Sequence, residues 1–110
     1  MATYGSEQLT ALADPSRRAI VEALRAGPRA VGELAATLPI SRPAVSQHLK
    51  VLKEAGLVTD RAEGTKRLYR LRPDGIAALR AYLDRMWSDA LSSFARQAES
   101  TAESEGSEQS

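Results

Sequence analysis

The stretch from Ser41 to Val58, SRPAVSQHLKVLKEAGLV, constrains this chain most, because its residues sort onto two opposite helical faces. At ~100° per residue, Val45, Leu49 and Leu52 gather on one side, with His48 and Ala55 at its edges. Arg42, Ser46, Lys50 and Lys53 gather on the other, flanked by Pro43 and Gln47. Ser41 offers an N-cap hydroxyl, Pro43 sits in the first turn where a missing N–H costs little, and Gly56 suits a left-handed helix stop. A helix that opens Ser-Arg-Pro and turns Ser, Gln and Lys outward carries the side chains that reach base edges and phosphates. The same pattern fits a surface helix whose Lys and Arg only solvate it, and the flanking segments decide between the two.

Composition narrows the choice. With 110 residues, 43% of them hydrophobic, the chain suits one small domain with a modest core that a partner subunit would help to stabilise. There is no cysteine, hence no disulfide, zinc–thiolate site or reactive thiol. The start, MATYGSEQLT, lacks the pattern of a signal peptide, and no apolar run approaches ~18 residues, so a soluble, cytoplasmic protein is expected. The net charge of +1 is unevenly placed: residues 98–110 hold four Glu and no Lys or Arg, which leaves 15 basic against 10 acidic groups elsewhere. From Ser41 to Arg72 stand Arg42, Lys50, Lys53, Arg61, Lys66, Arg67, Arg70 and Arg72 against Glu54, Asp60 and Glu63. Such a concentration is the electrostatic footprint of phosphate binding, though charge alone does not separate DNA from RNA or an acidic protein.

Ahead of this region, a short helix is predicted from Glu7 to Ala13, carrying Leu9 and Leu12. Asp14-Pro15 reads as a helix start, Ile20, Val21 and Leu24 as the inward face, and Gly27-Pro28 as the stop after about Ala26. Val31, Leu34, Ala35 and Leu38 give a further amphipathic helix, poorly capped by Ala30. Joined to the Ser41 helix through Pro39-Ile40, it forms a helix-turn-helix in which Leu34, Ile40 and Val45 meet.

Beyond Gly56 the pattern turns to β. Leu57–Ala62 and Thr65–Arg72 read as strands with a turn at Glu63-Gly64, Tyr69 and Leu71 facing inward and Arg70 and Arg72 outward. A basic-tipped hairpin after a helix-turn-helix is a wing. Arg61, Lys66 and Arg67 near its tip are placed to reach a phosphate backbone or minor groove, and the alternative is a solvated edge that Lys and Arg protect against strand pairing.

Pro73-Asp74 opens a last helix running to about Gln97, with Ile76, Leu79, Leu83, Met86, Ala90 and Phe94 on one stripe and Tyr82, Trp87 and Leu91 widening it. More than twenty residues span roughly 30 Å or more, longer than a small core covers, so a second copy is the economical partner. Trp87 could also pack on the first helix of its own chain, and both can hold at once. The domain is thus expected over residues 1–97, with 98–110 an acidic disordered tail.

The runs LADPSRRAIVEAL, VGELAATLPISRPAVSQHLKVLKEAGLV and RLYRL, followed by the long helix, resemble the ArsR/SmtB family of bacterial winged-helix repressors from about Leu9 to Phe94. The resemblance implies a mostly α fold with a small β-hairpin, a winged helix-turn-helix that dimerises through its first and last helices. At matching positions it implies DNA contact by Ser41, Arg42, Pro43, Ser46 and Gln47 and by Lys50 on phosphate, with Arg61, Lys66 and Arg67 matching by position in the wing. Leu9, Leu12, Leu83, Met86, Trp87, Ala90, Leu91 and Phe94 are the expected dimer interface.

Metal-sensing members of that family bind through cysteines on the third helix or Asp and His on the last. Here the third helix has neither Cys nor His, and the last has Asp84 and Asp89 but no His. His48, the single histidine, reads as a packing or hydrogen-bonding residue. No metal or other cofactor is expected, and a small-molecule or protein effector stays open.

Without Cys, a second His, a glycine-rich phosphate loop or clustered carboxylates, no catalytic constellation is available. The chain therefore reads as a homodimeric repressor on a palindromic operator in double-stranded DNA, with repression of its own gene one option. The rival reading is a winged helix that grips proteins without specific DNA binding. A repressor that meets a second protein through its acidic tail is a third.

Overall fold

The computed structural model describes residues 4–109, with side chains over residues 5–102. Along the chain come α1 (Tyr4–Ala11), α2 (Pro15–Leu24), β1 (Arg29–Ala30), α3 (Val31–Thr37), α4 (Arg42–Glu54), β2 (Val58–Glu63), β3 (Lys66–Leu71) and α5 (Pro73–Gln109). Ile20 and Leu24 of α2, Leu34 of α3, Val45, Leu49 and Leu52 of α4, and Leu57 and Val58 leading into β2 make the buried core. The three apolar residues assigned to the inner face of α4 are all at 0% exposure, so the helix is anchored by that face and presents the other to solvent.

Local chemistry sets the helix ends. Asp14 caps α2 by accepting the N–H of Ser16 at 2.8 Å and of Arg17 at 3.1 Å, with Pro15 opening the first turn. Ser41 Oγ accepts the N–H of Ala44 at 3.3 Å at the start of α4. At the other end Leu57 N–H reaches the Leu52 carbonyl and Gly56 N–H the Lys53 carbonyl, both at 3.0 Å, while Gly56 takes φ +78°. Those two bonds are a Schellman stop. Gly56 also meets Gly75 of α5 so closely that a Cβ on Gly75 would lie 1.7 Å from the Gly56 oxygen. Glycine at 75 thereby lets the first turn of α5, entered from β3, pack directly on the end of α4.

Two features differ from the sequence expectation of a plain hairpin. The sheet has three antiparallel strands in the order β1-β3-β2, with Arg29 opposite Tyr69 and Ala30 opposite Leu68. A two-residue strand has no periodicity of its own, and its partner lies far along the chain. The same pairing, together with Glu33 Oε1 accepting the Ala30 N–H at 3.0 Å, secures the start of α3 that Ala30 cannot cap with its side chain. The wing turn, in turn, is Gly64-Thr65, closed by Glu63 opposite Lys66. Gly64 takes φ +63° and Thr65 stays out of the left-handed region, as a type II′ turn requires.

The last helix also runs further than expected. Its backbone remains helical to Gln109 instead of ending near Gln97, through the acidic stretch expected to be disordered. Ala and Glu are good helix formers, and extending an existing helix requires no new nucleus. Ile76 packs against the core, but from Leu83 to Ala102 every residue is exposed.

Candidate nucleic-acid interface

The turn from α3 into α4 is fixed from beneath by Leu34 and Val45, at 1% and 0% exposure, with Ile40 packed against them. Because those residues are held, the outer residues of α4 form a defined ridge. Ser41, Arg42, Pro43, Ser46, Gln47 and Lys50 are all exposed, as the helical spacing predicted. Arg61, Lys66 and Arg67 are exposed on the wing. His48 is half-buried, in keeping with its place at the edge of the inner face.

A groove of about 490 Å³ joins these parts, with Arg42 on one side, Lys66 and Arg67 on the other, and Tyr69 and the start of α3 between them. The Arg42 guanidinium lies back against α3, where a Cβ on Gly32 would stand 3.3 Å from its Nη2. Among the described residues, Arg42, Lys50 and Lys66 make no ion pair. Arg61 pairs loosely with Glu63 at 3.3 Å across an open surface, and such pairs are worth little in water.

Asp60 is the residue that spacing did not single out. It lies on β2 with its side chain only 5% exposed, taking Lys53 Nζ on one carboxylate oxygen and Arg67 Nη1 on the other, each at 2.7 Å. The hydrogen bond from Lys53 and then that from Arg67 hold its carboxyl below the ordinary aspartate value, against the opposing effect of burial. In return Asp60 raises the pKa of Arg67. The only hint in the sequence is an acidic residue inside a basic run. Arg67, expected on phosphate, therefore stands already engaged by Asp60, though its side chain keeps 56% exposure.

The expected dimer residues divide into two groups. Leu83, Met86, Trp87, Leu91 and Phe94 are exposed at 37%, 47%, 67%, 53% and 70%, and Ala90 is exposed with them. Trp87 is thus mostly open to solvent and not buried against α1 of its own chain. Leu9 is 36% exposed, whereas Leu12 is half-buried and packs against the protomer's own core. Among the described residues no cluster of His, Asp or Glu is arranged to hold a metal, and no helix is long and apolar enough to cross a membrane.

Comparison with known proteins agrees with this fold. A helix-turn-helix domain model matches residues 12–61. The HTH-type transcriptional regulator Rv2034 of Mycobacterium tuberculosis is 62% identical over 98 residues, which span 87% of this chain and 92% of that one. Among solved structures, a possible transcriptional regulator for arsenical resistance shares 49% identity over 83% of this chain and 95% of its own, with a TM-score of 0.72. The homodimeric winged helix-turn-helix DNA-binding domain of Mb0332 from Mycobacterium bovis, a possible ArsR-family regulator, shares 32% identity over 78% of this chain and 79% of its own, with a TM-score of 0.63.

Proposed function

The chain belongs to the ArsR/SmtB family of winged helix-turn-helix transcriptional regulators, and on that footing we propose that it is a homodimeric repressor that binds a palindromic operator in double-stranded DNA. The observation that carries this reading is the exposed basic ridge of α4 set beside the basic wing, with Val45, Leu49 and Leu52 on the opposite face of α4 fully buried. A ridge held this firmly enters a major groove as a unit. In the proposed complex Arg42, Pro43, Ser46 and Gln47 face base edges, Ser41 and Lys50 meet phosphate, and Arg61 and Lys66 follow the backbone on the wing side, with Arg67 beside them held by Asp60.

The second protomer is assigned to the apolar stripe of α5. Leu83, Met86, Trp87, Ala90, Leu91 and Phe94 recur every three or four residues along an exposed face, a surface that water disfavours and that a two-fold partner removes. Leu9 of α1 supplies the margin of that interface. Two-fold symmetry then sets the two α4 helices about one turn of DNA apart, roughly 34–36 Å. The dimer represses by occupying the promoter region against polymerase, and the function is binding without catalysis.

Fluorescence anisotropy with the DNA immediately upstream of the protein's own coding sequence, against a scrambled duplex of equal length at two salt concentrations, tests this. Tight, salt-sensitive binding that favours the native duplex is expected. Equal, weak binding to both would favour a winged helix that serves a protein partner.

A further inference from the structure

Asp60 places a negative charge inside the surface assigned to DNA. Its carboxylate is nearly sealed from water, and its two oxygens are divided between Lys53 in the last turn of α4 and Arg67 on β3, each at 2.7 Å. One side chain thus ties the recognition helix to the wing, through a close ion pair with Lys53 and a charge-assisted hydrogen bond from Arg67. Lys53 and Arg67 remain about half exposed, at 54% and 56%, so without Asp60 both would be available to phosphate. The other carboxylates with lowered pKa values, Asp14 and Asp74, are held by neighbours close in sequence. Asp60 alone among these three links separate parts of the DNA-facing surface.

We propose that Asp60 is a specificity-determining residue, which withholds Lys53 and Arg67 from indiscriminate phosphate attraction and fixes the wing against the end of α4. The proposal rests on the DNA-binding reading above. Affinity for random DNA comes almost wholly from phosphate neutralisation, whereas discrimination comes from base contacts made in a set geometry. A repressor must reject a vast excess of non-cognate DNA, and cations free to seek a phosphate in any register favour random complexes over the operator complex, whose base contacts fix one register. The triad leaves Arg42, Lys50 and Lys66 as the unpaired cations among the described DNA-facing residues, spread from the start of α4 to the wing tip.

The test is binding of wild type and Asp60→Asn to the upstream duplex and to a random duplex across a salt series. A neutral amide at this position cannot hold both cations, so random-duplex affinity is expected to rise at least about four-fold at 0.2 M salt. The log–log salt slope is expected to steepen by at least ~0.9, the effect of one more neutralised phosphate. Base contacts hold the operator complex in one register, so its affinity is expected to rise less and the preference for the upstream duplex to narrow. Lys53→Gln with Asp60 intact serves as a second variant, and it is expected to flatten the slope less than Lys66→Gln does. Parallel slopes for wild type and Asp60→Asn, equal weakening on both duplexes, or equal flattening by Lys53→Gln and Lys66→Gln would each overturn the proposal. A wild-type protein with no preference for its upstream duplex removes the DNA-binding reading and this inference together. A preference that Asp60→Asn leaves intact removes only the role of Asp60.

Discussion

Gln8 of α1 donates its side-chain amide to the backbone carbonyl of Ala55, the residue that caps the end of α4. The contact joins the helix that borders the proposed dimer interface to the helix proposed to read DNA. At 1% exposure Gln8 is a buried polar residue beside the core, and its Nε2 takes up one of the carbonyls that every helix end leaves without an intrahelical partner.

Gln8→Ala should therefore destabilise the protein by about 1 kcal/mol or more, the cost of taking the donor from a half-buried carbonyl together with the lost packing, less the relief of Gln8 Oε1, which is buried without a partner. Urea unfolding followed by circular dichroism measures it. An unchanged midpoint would show that Ala55 finds another donor, water included.

Arg42 and Lys66 should separate in their effects. Arg42→Ala is expected to cost ~1–3 kcal/mol of base discrimination if its guanidinium engages guanine. Lys66→Ala should weaken all sequences alike and reduce the salt slope by about one phosphate. Parallel titrations of native and scrambled duplexes distinguish the two, and identical losses in both variants would contradict the assignment of roles.

Trp87→Ala should weaken self-association, because a large aromatic at 67% exposure in the monomer has most of its surface still to bury. Sedimentation velocity at low micromolar concentration is the measurement. The expected result is a shift toward the monomer with unchanged monomer stability, and an unaltered sedimentation coefficient would place the partner surface elsewhere.

Asp14 gives the fold's stability a pH dependence. The Arg17 N–H, its main stabilising partner, and the Ser16 N–H hold its carboxyl below the ordinary value, while burial opposes them. A group whose folded pKa is depressed contributes stability fully above its unfolded value near pH 4 and loses it as pH falls through the lower folded pKa. Asp14→Ala should accordingly melt below wild type at neutral pH, with the gap closing as the acid limb is entered. A gap that stays constant down to pH 2 would mean that the cap acts through packing alone.

How much the sequence discloses depends on how local each cause is. Val45, Leu49 and Leu52 announce the inner face of α4 because a 3.6-residue period is written in consecutive residues. Asp14-Pro15 and Ser41 declare their helix starts for the same reason. Exposure of the α5 stripe is likewise visible, since Leu83 to Phe94 outrun any core this small. The pairing of β1 with β3, the Gln8–Ala55 bond and the Asp60 triad are not visible, because each joins positions whose approach only the finished fold decides. The helical course of residues 98–109 escapes for a different reason: acidic, aromatic-poor composition suggests disorder, while Ala and Glu extending an existing helix favour its continuation.

In the proposed complex two copies of α4 enter successive major grooves on one face of the operator. Dimethyl sulfate protection of guanine N7 on the bound upstream duplex tests this arrangement at the atoms concerned, since N7 lies on the major-groove edge. Two protected clusters about one helical turn apart are expected, with Arg42→Ala restoring reactivity within both. A single cluster, or tight binding with every guanine still reactive, would contradict it.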